Sequence, residues 1–357
     1  MQHEDKALWN RILNMKMSNS GDFILYALDK GEKDQTIYLK DSKGKEIMSH
    51  PRSKGGQFSF DSKYIAFTVN AWKDSIKELK RRKVKKKDLP KDTLVIYDIK
   101  KQSIHKIPNV KSYKMPEKWS GIIAYTLEAA KAKKKKKDTT KAKKKKLKKV
   151  SKDNGYHLVI HQLKSGLEDT LRFVHRFALA KEGKFITYAT SGDKAKENGG
   201  VYRYNVETGE KTLLFDSHYK TKYPQLGISE SGNKIGFVVD IDSTKSLIKK
   251  PTLYSWNQGR LFFGLRTTPI DKDTTLIDEE IVNVEVWTYN EPRLYTVQEL
   301  QVKNDKKKAF LSLYDFNQNK LISIANPEFD MARYGDEGNS DYAIIGNRTP
   351  YMLQSQW

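Results

Sequence analysis

The residues able to do chemistry in this chain are few. Cysteine is absent from its 357 residues, which removes disulfides, thiolate nucleophiles and Cys-ligated zinc or iron–sulfur sites. The seven histidines (His3, His50, His105, His157, His161, His175 and His218) include no HExxH pair. His157 and His161 stand four apart, but in a strand-forming segment that spacing sets them on one face about 13 Å from each other. They are therefore not expected to share a metal. Serine hydrolysis of the α/β-hydrolase kind needs Gly-x-Ser-x-Gly on a sharp strand-to-helix elbow. The nearest string, Gly227-Ile228-Ser229-Glu230-Ser231-Gly232, has the wrong spacing and reads as a polar turn between strands. No glycine-rich phosphate loop is present. The expectation is thus no catalytic residue, no metal ligand and no cofactor site. One polar constellation is left, Asp271 to Glu280, whose carboxylates Asp278, Glu279 and Glu280 could hold a cation or the amino terminus of a peptide. The plainer reading is a loop paired with the many Lys and Arg, ahead of a strand over Val284–Tyr289.

The elements that would position such groups repeat. A small polar turn followed by a short aliphatic–aromatic strand recurs: Ser18–Asp22 before Phe23–Leu28, Ser59–Lys63 before Tyr64–Val69, Ala180–Lys184 before Phe185–Thr190, and Ser229–Asn233 before Lys234–Val239. Lys118-Trp119-Ser120-Gly121 before Ile122–Leu127 is a degenerate copy. Hairpins follow, as in Thr36–Asp41 turning at Ser42–Lys45, Leu94–Asp98 turning at Lys100–Gln102, Val201–Asn205 turning at Glu207–Glu210, and Phe310–Asp315 turning at Asn317–Lys320. Alternation buries one face of each hairpin, and Gly or Asn tolerates the positive φ of a tight turn. A two-sheet sandwich also uses short strands but has no reason to repeat one unit. The fold class expected is all-β: a β-propeller of short antiparallel four-stranded blades, incomplete or unclosed, spanning 1–357 with five to seven blades, some partial. An exposed strand edge near the C-terminus, prone to association, goes with that expectation.

The net charge of +23 suggests nucleic acid until it is located. Lys131 to Val150 holds thirteen Lys against one Asp, and Lys73 to Lys91 holds ten basic against three acidic residues, so about +4 remains for the other 318 residues. The body is nearly neutral. Both runs read as insertions between strands: a basic insertion over 73–91, with a short exposed helix in Asp74–Lys87, and a Lys-rich low-complexity loop over 131–150 that lacks the apolar residues to offset its ordering entropy. Neither interleaves aromatics that could stack on bases, which argues against a nucleic-acid partner. No apolar run approaches the roughly 18 residues of a membrane helix, and Met1–Asp5 opens no signal-peptide h-region.

Several segments resemble the propeller region of large bacterial serine peptidases of the prolyl oligopeptidase family, of the type found in Bacteroidetes. They are Arg260-Leu261-Phe262-Phe263-Gly264, Asp273 to Glu280, Val284-Glu285-Val286-Trp287, Trp9-Asn10-Arg11-Ile12, Asp336 to Ala343, and the Lys-rich insertion in an early blade. The resemblance covers nearly the whole chain, on motifs that are structural. It implies that a propeller caps an α/β-hydrolase domain lying later in the chain, which supplies Ser, Asp and His; no position here matches those motifs, so no triad residue carries over. It also implies peptide substrates, and a periplasmic or exported location if the parent carries a signal peptide, otherwise a cytoplasmic one. One departure stands out. Only Asn257-Gln258-Gly259 separates Tyr254-Ser255-Trp256, the end of one hairpin, from Arg260–Phe263, the first strand of the next blade, so one blade lacks material.

The leading expectation for function is a non-catalytic propeller that gates and selects peptides for a serine peptidase domain downstream. A free-standing propeller used as a protein-interaction module is a second reading, and nucleic-acid binding through the Lys-rich loop a third.

Overall fold

In the computed structural model, the described residues are 10–29, 31, 33–128, 149–192, 198–217, 221–241, 251–257, 259–267, 275, 280, 288, 291, 293–352 and 354. They fall into two compact units, Met1–Ile241 and Asp242–Trp357. Most of the Lys-rich loop, and Asp278 and Glu279, lie outside the described residues.

The first unit is a run of antiparallel meanders. β1 (Arg11–Met17), β2 (Phe23–Asp29), β3 (Thr36–Asp41) and β4 (Glu46–Pro51) form a four-stranded sheet in chain order. β5 (Ser53–Phe58), β6 (Tyr64–Val69), β7 (Asp92–Asp98) and β8 (Ser103–Lys114) repeat the pattern, with the exposed helix α1 (Lys73–Arg81) inserted between β6 and β7. β9 (Ile122–Leu127), β10 (Tyr156–Gln162) and β11 (Glu168–Leu179) continue it, then β12 (Phe185–Thr190), β13 (Gly200–Asn205) and β14 (Lys211–Asp216), and β15 (Lys222–Ile228) pairs β16 (Ile235–Asp240) as a fifth beginning. β5 to β14 count as one ten-stranded sheet rather than as separate four-stranded blades.

The reason is local. β8 and β11, at 12 residues each, serve two meanders: the first half of each pairs backward as a last strand and the second half pairs forward as a first strand. Each turns the corner at a residue in the left-handed region, Asn109 (φ 59°) and Phe173 (φ 54°), where the register also shifts. Arg52 (φ 59°) does the same between β4 and β5. At all three corners the carbonyl accepts a hydrogen bond from the residue just past the next strand, Asn70 N–H (2.9 Å), Glu128 N–H (2.8 Å) and Ser191 N–H (3.1 Å). Left-handed backbone costs a non-glycine residue on the order of 1 kcal/mol or more, so a recurring bond of this kind is what holds the corner.

The repeated polar turn has an equally plain cause. Ser18, Ser59 and Ser229 each accept, through Oγ, the N–H of the residue five positions on (3.1, 3.0 and 3.0 Å), closing the turn ahead of the second strand. Neighbouring turns bond to each other as well: Asn19 Nδ2 to the Phe60 carbonyl (3.0 Å), Lys118 N–H to the Lys181 carbonyl (3.1 Å), and Glu182 N–H to the Glu230 carbonyl (2.8 Å). Successive meanders therefore stand side by side with like ends together, the arrangement of propeller blades. Three cores fill the spaces between them. Ile65 and Phe67 of β6 face Leu25, Ile37 and Leu39 of the first meander, whereas Ala66 faces Ile123 and Tyr125 of the third. Ile122 and Ala124 of β9, with Leu171 of the same meander, face Ile186 and Tyr188 of the fourth. The second strands β6, β9 and β12 are buried on both faces, which is why they read as near-continuous apolar runs rather than as alternation.

The second unit holds β17 (Thr252–Trp256), β18 (Arg260–Leu265), helix α2 (Tyr295–Asp305), β19 (Phe310–Asp315), β20 (Lys320–Ser323), β21 (Met331–Tyr334) and β22 (Ala343–Gly346). β18, β19 and β20 form a three-stranded sheet in which β18 is an edge strand, and β21 with β22 forms a two-stranded one. The fold is all-β and antiparallel, of propeller type, with two α-helices among the described residues.

Candidate functional site

Because nucleophilic catalysis needs a hydroxyl beside a base, every Ser–His contact matters. One exists among the described residues: His50 Nδ1 lies 2.9 Å from Ser53 Oγ. The pair belongs to the corner at Arg52. His50 Nδ1 is also 2.8 Å from the Pro51 carbonyl, Ser53 Oγ donates to that carbonyl at 3.1 Å, and Ser53 is wholly buried. A nucleophile must reach substrate, and this hydroxyl cannot; the contact closes a bend. Burial pushes the His50 imidazole below its ordinary pKa, with help from Lys106 and Arg52 and against the Pro51 carbonyl, as befits a neutral structural ring. Ser229, in the string nearest to a hydrolase elbow, spends its Oγ on Lys234 N–H in the turn between β15 and β16.

The structure separates the two histidines of β10. His157 packs against the edge of the Phe173 ring (centroids 5.1 Å apart), where burial and the charge of Arg172 lower its pKa. His161 turns instead to groups from other strands. It is 7% exposed, opposes Glu168 across the β10–β11 pair, and places Nδ1 3.0 Å from Glu168 Oε1. His105, on the first half of β8 in the preceding meander, stacks on the His161 ring at 5.4 Å between centroids with 15° between planes. Tyr125, from β9, donates its buried hydroxyl to the same Glu168 Oε1 at 2.8 Å. One ligand atom from each of His105, His161 and Glu168 lies within 4.8 Å of the others. Partial burial pushes the Glu168 carboxyl up, but the hydrogen bonds from Tyr125 and His161 and the two imidazoles outweigh it, so its pKa is lowered. Burial, then Glu168, raises the Tyr125 phenol.

This group forms at the rim of the core shared by the second and third meanders. Residues 159, 161 and 163 share one face of β10, and Val159 and Leu163 bury themselves in that core. Spacing along the chain could not reveal it, because His105 and His161 are 56 positions apart and meet only when one meander stacks on the next. Of the three, His161 alone stands among apolar residues on its face, Val159 and Leu163; His105 and Glu168 lie in polar, exposed stretches and gave no signal. The expectation of no metal ligand rests on the pair His157–His161 alone; in the structure His161 meets groups from other strands instead. Of the acidic candidates, Glu280 is exposed, and Asp278 and Glu279 lie outside the described residues.

No protein-family model matches the chain, and no curated protein does. Among solved structures, similarity extends to the acylaminoacyl peptidase of Pyrococcus horikoshii (11% identity, TM-score 0.40, covering 92% of this chain and 48% of that one). It extends also to the β-propeller domain of the Trilobed protease from Pyrococcus furiosus, described as an open velcro topology (13% identity, TM-score 0.37, 90% and 86%). TolB from Acinetobacter baumannii is similar at 15% identity and a TM-score of 0.32, over 65% and 51%. The chain spans about half the length of the first and third of these.

Proposed function

We propose that this chain is a non-catalytic propeller that gates and selects peptide substrates for a serine peptidase domain of the α/β-hydrolase type. The observation that carries the reading is the fate of its hydroxyls and imidazoles. Three of the meanders commit a Ser to turn closure, and the one Ser–His contact among the described residues is sealed inside a corner. Blades of this kind enclose a narrow passage, which excludes folded proteins and admits short or unfolded peptides. Catalysis then has to come from another domain. The acidic residues Asp278, Glu279 and Glu280 are the groups proposed to meet the amino terminus of an entering peptide. The segments that resemble the propeller region of the prolyl oligopeptidase family support the same reading.

The test is the coding sequence beyond Trp357. A Gly-x-Ser-x-Gly flanked by strand and helix patterns, within one further domain's length, is the expected result. A stop codon directly after Trp357 would overturn it in favour of a free-standing interaction module.

A further inference from the structure

We propose that His105, His161 and Glu168 bind one first-row divalent transition metal, zinc foremost, which ties the last strand of the second meander to the last two strands of the third. Two imidazole nitrogens and one carboxylate oxygen are the donor set of a three-ligand zinc site, with a fourth position left for water. Two nitrogens disfavour calcium and magnesium, which take oxygen, and the absence of thiolate disfavours copper(I). The donor atoms already lie within 4.8 Å of one another. Tetrahedral ligands at zinc distances of about 2.0–2.1 Å stand roughly 3.4 Å apart, so the set must draw in by up to about 1.4 Å. The required freedom is distributed to suit. His161 is buried and fixed, whereas His105 and Glu168 are exposed and able to swing. His105 must rotate out of its stack, since parallel rings aim their lone pairs in parallel rather than at a common point.

The surroundings also fit. Tyr125, 2% exposed, already donates to Glu168 Oε1 at 2.8 Å, the kind of outer hydrogen bond that orients a ligating carboxylate. Without a metal, the same groups make only a stacked imidazole pair with one carboxylate contact. With one, the +2 charge would be shared among three donors drawn from two meanders. The inference is independent of the peptidase reading, because the site lies wholly within the first unit.

The experiment uses the full, tag-free chain stripped with a chelator and titrated with zinc chloride by calorimetry, with cobalt(II) as a spectroscopic stand-in. One equivalent of zinc and the intense visible bands of tetrahedral cobalt are expected, together with a rise in Tm. His105→Ala, at an exposed position, should keep the fold and weaken zinc binding by tenfold or more, on the order of the loss seen when even an outer-shell partner is removed. Glu168→Gln should do the same, and Tyr125→Phe should weaken binding roughly 10–100-fold without changing the stoichiometry. His157→Ala should change nothing. Absence of stoichiometric zinc binding, or binding that His105→Ala and Glu168→Gln leave intact, overturns the proposal.

Discussion

Trp119 tests whether neighbouring meanders are truly joined as described. It stands in the degenerate turn of the third meander, is 6% exposed, and donates its indole N–H to the Ala180 carbonyl of the next turn at 3.0 Å. Its ring packs with Leu158, Leu171, Ile186 and Tyr188 in the core between the third and fourth meanders. Trp119→Phe removes the donor and leaves a buried carbonyl unpaired, a cost of about 1–3 kcal/mol. The smaller ring leaves a void as well. Truncating a buried Trp or Phe all the way to Ala costs about 3–5 kcal/mol, so shrinking one ring to the other adds about 1–2. The sum, about 2–5 kcal/mol, corresponds to a fall in Tm of roughly 4–20 °C for a unit of this size. Trp72, 53% exposed, serves as the control. Its ring carries only the Arg52 guanidinium, 4.7 Å from the centroid, worth about 0.5–1 kcal/mol at an exposed site. Calorimetry or urea unfolding of the two variants beside the parent chain makes the comparison. If Trp119→Phe costs no more than Trp72→Phe, the joint between these meanders does not exist as drawn.

Gly56→Ala should destabilise by about 1–3 kcal/mol in urea unfolding, because a Cβ there would meet Leu25 Cδ2 at 2.4 Å and Ile37 Cδ1 at 2.7 Å in the first core; unchanged stability would mean that β5 does not approach the first meander so closely. Tyr223, buried and 4% exposed, has its phenol pushed up to about 12, first by burial and then by Tyr202 and Asp216 against the Ser217 hydrogen bond. A raised pKa favours the protonated native state, so that contribution is whole below pH 10 and is lost as pH climbs toward 12, about 2–3 kcal/mol at most. The Tyr223 share of tyrosinate absorbance, taken as the difference between the parent chain and Tyr223→Phe, should therefore rise with unfolding rather than ahead of it. Deleting Lys131–Lys149 should leave Tm nearly unchanged, since a segment so poor in apolar residues buries little; a loss of several kcal/mol would show that it packs.

The strands and their turns were legible because their causes are short-ranged. A serine five residues ahead of a strand closes its own turn, and a second strand buried on both faces must be apolar throughout, so both signals recur in the residue types. The corners were not legible. Arg52, Asn109 and Phe173 hold one backbone conformation and one hydrogen bond in common, yet share no side-chain chemistry, because what is repeated is a dihedral angle and a carbonyl. The helix α2 escaped notice for a related reason: none of its residues is buried, so it leaves no apolar stripe to read. The histidine cluster was hidden by distance along the chain. His161 could be judged only against His157, its neighbour in sequence, while its real partners arrive from β8 and β11 through stacking.

We propose that this chain shapes and gates but does not cut. Incubating the purified chain with a fluorophosphonate probe, alongside a panel of peptide and ester substrates, tests it most directly. No labelled serine and no hydrolysis above the buffer rate are expected, since Ser53 is sealed and Ser229 is held in its turn. Stoichiometric labelling of any serine, mapped by mass spectrometry and accompanied by turnover, would contradict it.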